Sequence, residues 1–333
     1  MRRVSIVVPV FHNAASLPEL MNRFSRLAEQ NDEQFEFIFV DDGSRDHSFE
    51  VLENLARRDG RVHAIRLSRN FGSNAASAAG IAHATGDCVV AISADLQDPP
   101  ELIGEMLEKW RQGYRVVLAA RKEREDPWLT SLTSNLFWKL FRRFGIPTMP
   151  EQGCDFCLLD RSVLHALRDT YEPKGGLGMV LWTGFEPAVI HYRRRRREAH
   201  YGRSRWTLSK KLTYLIDSFV SFSHVPIRAA SVTGMLLALL GMIYACALTF
   251  EKLFLGLDAF EGWASLMIVV LVVSGAQLTM TGILGEYLVR TLEASRRRPP
   301  YIVERVVEQQ PAEEAQTPIR PLDESREVEI AEP

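Results

Sequence analysis

Two stretches of this chain, residues 229–250 and 263–284, contain no charged side chain. A run of about 20 apolar residues, rising about 1.5 Å each, crosses a hydrocarbon layer of about 30 Å. Each stretch therefore predicts a membrane-spanning helix, and the short connection at 251–262 makes the two a transmembrane hairpin. Burial of both helices in a soluble interior is the competing reading, but consecutive charge-free runs of this length are rare in globular domains. Basic residues flank the pair: Lys210, Lys211 and Arg228 precede it, while Arg290 and Arg296 to Arg298 follow it. Lys and Arg concentrate on the cytoplasmic side, which places both flanking parts there. The expectation is a multi-pass protein of the cytoplasmic (inner) membrane with a cytoplasmic head.

The head reads as α/β. Strand patterns at 4–9, 35–40, 62–67, 88–92 and 114–119 alternate with helical patterns at 16–28, 48–57, 74–84 and 101–112. Ser16 and Pro18 mark the start of the first helix as a Ser cap followed by proline. This alternation predicts a mostly parallel sheet with helices on both faces, Rossmann-like in layout. No Gly-x-Gly-x-x-Gly follows the first strand; Pro9-Val10-Phe11-His12-Asn13 stands there instead, which disfavours NAD. Further on, 128–144 predicts a helix and 187–196 a strand. Residues 208–222 are amphipathic and suit a helix lying in the membrane interface. Beyond Pro299 the acidic, Pro-rich composition predicts a disordered tail without chemistry.

A formal net charge of -2 over 333 residues gives no bias toward nucleic acid. The four cysteines, Cys88, Cys154, Cys157 and Cys246, form no disulfide framework and suit a reducing compartment. Cys154-x-x-Cys157 matches half of a zinc or redox site, without a second pair. The N-terminus runs straight into the first strand, too short for a signal-peptide core.

Two acidic motifs carry the chemistry. Asp95 and Gln97, in Ser93-Ala94-Asp95-Leu96-Gln97-Asp98-Pro99-Pro100-Glu101, stand just past the strand at 88–92. A carboxylate and an amide two residues apart can both reach a hard cation. Magnesium is usually held by one or two carboxylates plus substrate phosphates, so a nucleotide diphosphate bound through a metal is the first hypothesis. Asp41-Asp42-Gly43-Ser44 ends the second strand, and adjacent carboxylates there call for a cation or hydrogen-bond donors such as ribose hydroxyls or a base N–H. A plain Asp-Gly turn is the simpler reading of that motif taken alone.

Val7-Val8-Pro9-Val10-Phe11, Val40 to Ser44, Ser68-Arg69-Asn70-Phe71-Gly72 and Ala94 to Glu101, in this order, resemble glycosyltransferase family 2. Within it the chain is similar to polyprenyl-phosphate glycosyltransferases of the dolichyl-phosphate-mannose-synthase-like group, which carry two C-terminal membrane helices. The resemblance spans residues 3 to about 300. It implies a GT-A catalytic domain, a UDP- or GDP-hexose donor, a polyprenyl phosphate acceptor and Mg²⁺ or Mn²⁺. By that likeness Pro9, Phe11, Asp41 or Asp42 contact the nucleoside, Ser93 and Ala94 line the diphosphate, and Asp95 and Gln97 hold the metal. Arg121 belongs beside the phosphates, and Asp155, with Asp95 the other catalytic candidate, acts as base or orients the acceptor. Arg124, Ser134, Arg203, Ser204 and Arg205 are implied for the acceptor phosphate, the last three in a segment like the family's Gly-x-Ser-Lys-Trp. Ser93 departs from the family's Asp-Ala-Asp, His12-Asn13 from its Asn-Glu, and Cys157 from an Arg.

The expected organisation is a GT-A domain at 1–207, an interfacial helix at 208–225, the hairpin at 226–290 and a largely disordered cytoplasmic tail at 291–333. The expected reaction is inverting, metal-dependent hexose transfer, first of all glucose from UDP-glucose to undecaprenyl phosphate. The membrane is a further partner, and self-association is also considered. A processive polysaccharide synthase is disfavoured by Gly202, which stands where Gln precedes Arg-Trp, and by the single hairpin. A diacylglycerol glycosyltransferase would need an effective base and less cationic charge. A degenerate membrane scaffold is suggested by Ser93.

Overall fold

The computed structural model describes residues 2–121, 139, 142–143, 146–150, 153–154, 156–167, 176–192, 223, 225–250, 254, 263–296 and 298–308. Asp155, Arg124, Ser134, Arg203, Ser204, Arg205 and the amphipathic segment at 208–222 lie outside these residues, as do most of 128–144 and all but the first part of the tail.

Alternation of strand and helix begins at the N-terminus with β1 (Arg3–Val10), α1 (Leu17–Glu29), β2 (Gln34–Asp41) and α2 (Ser48–Arg58). It continues with β3 (Val62–Leu67), α3 (Ser73–His83), β4 (Cys88–Ala91), α4 (Leu102–Arg111) and β5 (Val116–Arg121). Then come β6 (Phe156–Asp160), α5 (Arg161–Leu167), α6 (Gly176–Trp182) and β7 (Pro187–Tyr192). The long helices α7 (Val225–Phe250) and α8 (Trp263–Ser295) follow, and the chain returns as β8 (Val303–Val307).

Among the described residues eight strands form one sheet in the order β7-β5-β6-β4-β1-β2-β3-β8. β1 pairs in parallel with β2 on one side and β4 on the other, and β2 with β3. β6 runs antiparallel between β4 and β5, and β8 antiparallel along β3. The central strands are apolar on both faces because each face is covered. Leu20, Phe24, Phe49, Leu52, Ile103 and Met106 of α1, α2 and α4 bury one face with Ile6, Val8, Phe37 and Phe39. Ala76 and Ala79 of α3 cover the other with Val7, Ile38, Val40 and Ile65. The Ala-rich composition of α3 has a physical reason at Gly80, where an added Cβ would lie 2.4 Å from Val7 Cγ1. The helix sits too close to β1 for larger side chains. Beside it, α5 and α6 pack on Val116, Leu118 and Leu159.

Three expectations need correction. Ser16 does not cap α1; its hydroxyl donates to Ala94 O at 2.8 Å, with Asn13 O at 3.0 Å as the alternative acceptor. The Phe156 to Asp160 segment, for which the sequence predicts no element, is an antiparallel strand. Finally, the chain just beyond Pro299 is not a disordered tail. Residues 303–307 add a strand to the β3 edge, because that edge offers unpaired backbone groups and Val303 and Tyr301 can pack beside Ile65 and Leu67.

Helices α7 and α8 contain segments long and apolar enough to cross a membrane, Ile227–Ala247 and Leu266–Glu293. Their Leu236, Leu240, Ile243, Leu271 and Leu278 side chains point outward rather than into the protein. The second helix runs about ten residues past the charge-free stretch, and Tyr287 Oη donates to Ser223 O at 2.9 Å near its end.

Candidate active site

In an open α/β sheet, ligands sit beyond the carboxyl ends of the strands where the strand order reverses. Here β1 is followed by β2 and β3 in one direction, while β4 lies on its other side, so the reversal falls between β1 and β4. The loops that follow these strands hold both acidic motifs.

Asp41 ends β2 and is fully buried. Its two carboxylate oxygens accept from Ser44 N at 3.3 Å, and Arg66 Nε approaches Oδ2 at 3.8 Å. Asp42 is spent on architecture: Phe71 N and Gly72 N donate to its two oxygens at 2.7 and 2.9 Å. Burial pushes both carboxyls above the ordinary carboxylate range, more than the bonds from Ser44 and the charge of Arg66 pull Asp41 down, or the bonds from Phe71 and Gly72 pull Asp42 down. Gly43, at φ +66°, lets this turn lie against the 68–72 loop; a Cβ there would come within 2.6 Å of Arg69 C. The Asp-Asp-Gly-Ser turn thus holds one loop against another.

Between those loops opens a cavity of about 410 Å³, lined by Phe11, His12, residues 43–45 and 66–70, and Glu304 from β8. His12 holds a left-handed backbone, φ 57°, with its N–H donating to Ser44 Oγ at 3.0 Å. Asn13 N donates to Ser48 Oγ at 3.0 Å, while Asn13 Nδ2 is buried without a partner. Phe11 lines the cavity; Pro9 lies within β1, paired with Val40. Asp41 and Asp42 stand behind the wall rather than in it.

On the other side of β1, Asp95 is half-buried at the mouth of the reversal. Its Oδ1 lies 2.9 Å from Ser93 Oγ and 3.3 Å from Gln97 N, and Leu96 between them is forced to φ 58°. A non-glycine residue in that region costs about 1–3 kcal/mol and persists only where its surroundings enforce it. Ser93 Oγ also lies 2.8 Å from Oδ2 of the buried Asp98, whose Oδ1 accepts from Tyr192 Oη at 2.6 Å. A hydroxyl has one proton. The Ser93 hydroxyl therefore links the two carboxylates and can donate to only one of them at a time. Among the described residues no three His, Cys, Asp or Glu side chains converge into a protein-only metal cage. One carboxylate with an amide beside it fits a hard cation completed by phosphate oxygens. Arg121 ends β5, opposite Tyr192 of β7, at the same edge. Glu101 does structural work, in a bidentate pair with Arg23 of α1 at 2.8 and 2.5 Å.

A second cleft, about 440 Å³, opens at the opposite edge of the sheet beside Arg3, Glu33, Glu36, Arg61 and His63. Its cations are already engaged: Arg61 pairs with Asp59 at 2.7 Å, and Arg3 donates to Thr85 at 2.9 Å. Burial pushes the Cys157 thiol up to about 12, and Cys154 Sγ donates to Phe156 O.

Residues 5–168 match the glycosyl transferase family 2 model. A glycosyltransferase of Bacillus subtilis (strain 168), YkcC, whose activity is uncharacterized, is 38% identical over 303 residues, 90% of this chain and 93% of that protein. The chain belongs to glycosyltransferase family 2. Two further family 2 relatives have more specific names. An undecaprenyl-phosphate 4-deoxy-4-formamido-L-arabinose transferase of Edwardsiella ictaluri (strain 93-146) is 36% identical over 93% of this chain and 96% of its own length. A prophage bactoprenol glucosyl transferase homolog of Escherichia coli (strain K12) is 33% identical over 91% of this chain and 99% of its own length. With the sheet order above, the α/β head is a GT-A fold and the protein a glycosyltransferase, which sets aside the scaffold reading.

Arg66, Asp98, Tyr192 and Glu304 escaped the sequence reading. Asp98 was visible within the acidic motif, next to two prolines. For the other three no local signal exists, since each acts on a residue distant along the chain.

Proposed function

We propose that this glycosyltransferase moves a hexose from a nucleotide sugar to a polyprenyl phosphate at the membrane surface, with inversion at the sugar. One observation carries the reading: a nucleoside-sized cavity and a lone metal-type acid flank β1 at one sheet edge, in a chain that also carries two helices fit to cross a membrane. The two relatives named for undecaprenyl-phosphate and bactoprenol transfer, matched along almost their whole length, support the acceptor class. UDP-glucose and undecaprenyl phosphate are the first pair to try.

In this reading the cavity takes the nucleoside, with Phe11 along one wall and Asp41 behind Ser44 and Arg66. The diphosphate extends across β1 toward Ser93, Ala94 and Asp95. Asp95 and Gln97 would hold Mg²⁺ or Mn²⁺, which when bound neutralises charge building on the departing nucleoside diphosphate. Arg121, which ends β5, would add positive charge there. The acceptor is a phosphate monoester, mostly dianionic at pH 7, so its oxygen needs little help from a base. That oxygen bonds to the anomeric carbon as the bond to the diphosphate oxygen breaks, and the nucleoside diphosphate leaves with the electron pair. Asp155 then orients the acceptor, and Arg124, Ser134, Arg203, Ser204 and Arg205 bind its phosphate near the headgroup plane. The hairpin keeps the head at the cytoplasmic leaflet, so the lipid tail never leaves the bilayer.

The test is a panel of radiolabelled UDP- and GDP-sugars offered to membranes containing the protein and undecaprenyl phosphate, with lipid-extracted label counted. One sugar should enter the lipid phase, and chelation with EDTA should stop it. Transfer to diacylglycerol instead, or growth of a long polymer, would contradict the acceptor assignment.

A further inference from the structure

β8 reaches the head only after the chain has passed through both apolar helices, yet it contributes to the donor cavity. Its pairing with β3 shifts register: Leu67 faces Val303, but Arg66 faces Arg305, so Glu304 is the extra residue of a bulge. The consequence is visible in the packing. Val303 and Val307 would share a face in a regular strand, but Val303 packs against the α3 layer and Val307 against the opposite layer. Arg305 points to the α2 side, paired with Glu53 at 2.8 Å. Bulges beside sites re-aim a side chain, and this one presents Glu304 at the cavity wall. Its carboxylate lies 3.6 Å from Arg66 Nε, an atom that is buried without a hydrogen-bond partner. Ser68 N donates to Ile302 O at 3.0 Å, which ties the cavity loop to the same strand. Among the described residues lining the cavity, Arg45, Arg66, Arg69 and Asn70 offer donors, while Glu304 is the one carboxylate. A nucleoside offers ribose hydroxyls and, in uracil or guanine, base N–H groups that need such an acceptor.

We propose that Glu304 is a specificity-determining residue of the donor site that accepts a hydrogen bond from the nucleoside; this rests on the reading of the cavity as the nucleotide-sugar site. The strand beyond the membrane hairpin is then part of the donor pocket. The test is UDP and GDP affinity, by calorimetry on the full-length protein in lipid nanodiscs, for wild type, Glu304→Ala, Glu304→Gln and Arg305→Ala. The nucleotide that wild type prefers should bind at least about tenfold more weakly to Glu304→Ala. Glu304→Gln, which keeps one acceptor oxygen, should fall in between. Arg305→Ala, altered one residue along the same strand but outside the cavity, should stay within about twofold. A loss that vanishes with the 2′-deoxy nucleotide assigns the bond to the 2′-hydroxyl, and one that persists assigns it to the 3′-hydroxyl or the base; either supports the proposal. Affinity unchanged in Glu304→Ala, or an equal loss in Arg305→Ala, would overturn it while leaving the donor site in place. Failure of wild type to bind either nucleotide would remove the donor reading and this proposal with it.

Discussion

Tyr192 illustrates how much of the site is held by groups that touch no ligand. Its hydroxyl donates to the buried Asp98, which shares the Ser93 hydroxyl with Asp95. Tyr192→Phe removes one hydrogen bond to the buried Asp98 carboxylate, a loss of about 1.5–3 kcal/mol for a bond to a charged group. The expected outcome is a lower melting temperature together with a higher Mg²⁺ or Mn²⁺ concentration for half-maximal transfer; a change in stability alone would reduce the tyrosine to a packing role. Legibility at this scale followed sequence distance. Asp41, Asp42, Asp95 and Gln97 stand in short local motifs whose turn chemistry is written in neighbouring residues. Tyr192 and Glu304 act on groups 94 and more than 200 positions away, and no window over the sequence joins them.

Turns and strands set the next level. Gly43→Ala should disrupt the cavity proposed for the donor, because its φ of +66° disfavours a side chain and a Cβ would strike the Arg69 backbone. Donor affinity should fall several-fold more than thermal stability alone accounts for, measured by UDP titration beside a melt; an unaffected affinity would refute the packing argument. At the other sheet edge, Glu36 joins β2 to β1 and to the α3–β4 turn. Its Oε1 accepts from Ser5 Oγ at 2.5 Å and Thr85 N at 2.6 Å, and its Oε2 from Thr85 Oγ1 at 2.7 Å. Burial pushes this carboxyl up, but the bonds from Ser5 and Thr85 outweigh it and leave it below its ordinary value. A lowered folded value means the ionised form is the stabilising one. Its contribution is complete above about pH 4.3, where the unfolded glutamate titrates, and is lost as pH falls through the folded value. Glu36→Gln should therefore melt lower than wild type at pH 7, with the gap closing below about pH 4; a gap constant with pH would contradict the assignment. The parallel strands were legible because each is an apolar run between turn signals. β6 was not, because five residues make too short a pattern to read, and β8 was hidden because Glu304 and Arg305 interrupt its three valines.

On the scale of the whole molecule, the pair of long apolar helices was the easiest part to read, since length and absence of charge mark both. What the sequence did not disclose is that the chain returns from the second helix to the edge of the catalytic sheet, so that head and hairpin are joined at both of the hairpin's ends. Only residues 296–302 separate the end of α8 from β8, which lines the cavity with Glu304. The most direct measurement of the whole account uses purified wild type and Asp95→Asn with a labelled nucleotide sugar, undecaprenyl phosphate and Mg²⁺ or Mn²⁺, with lipid-linked product counted beside the melting curve of each protein. The account predicts label in the lipid phase for wild type and at least a hundredfold less for a folded Asp95→Asn; equal product from both proteins would contradict it.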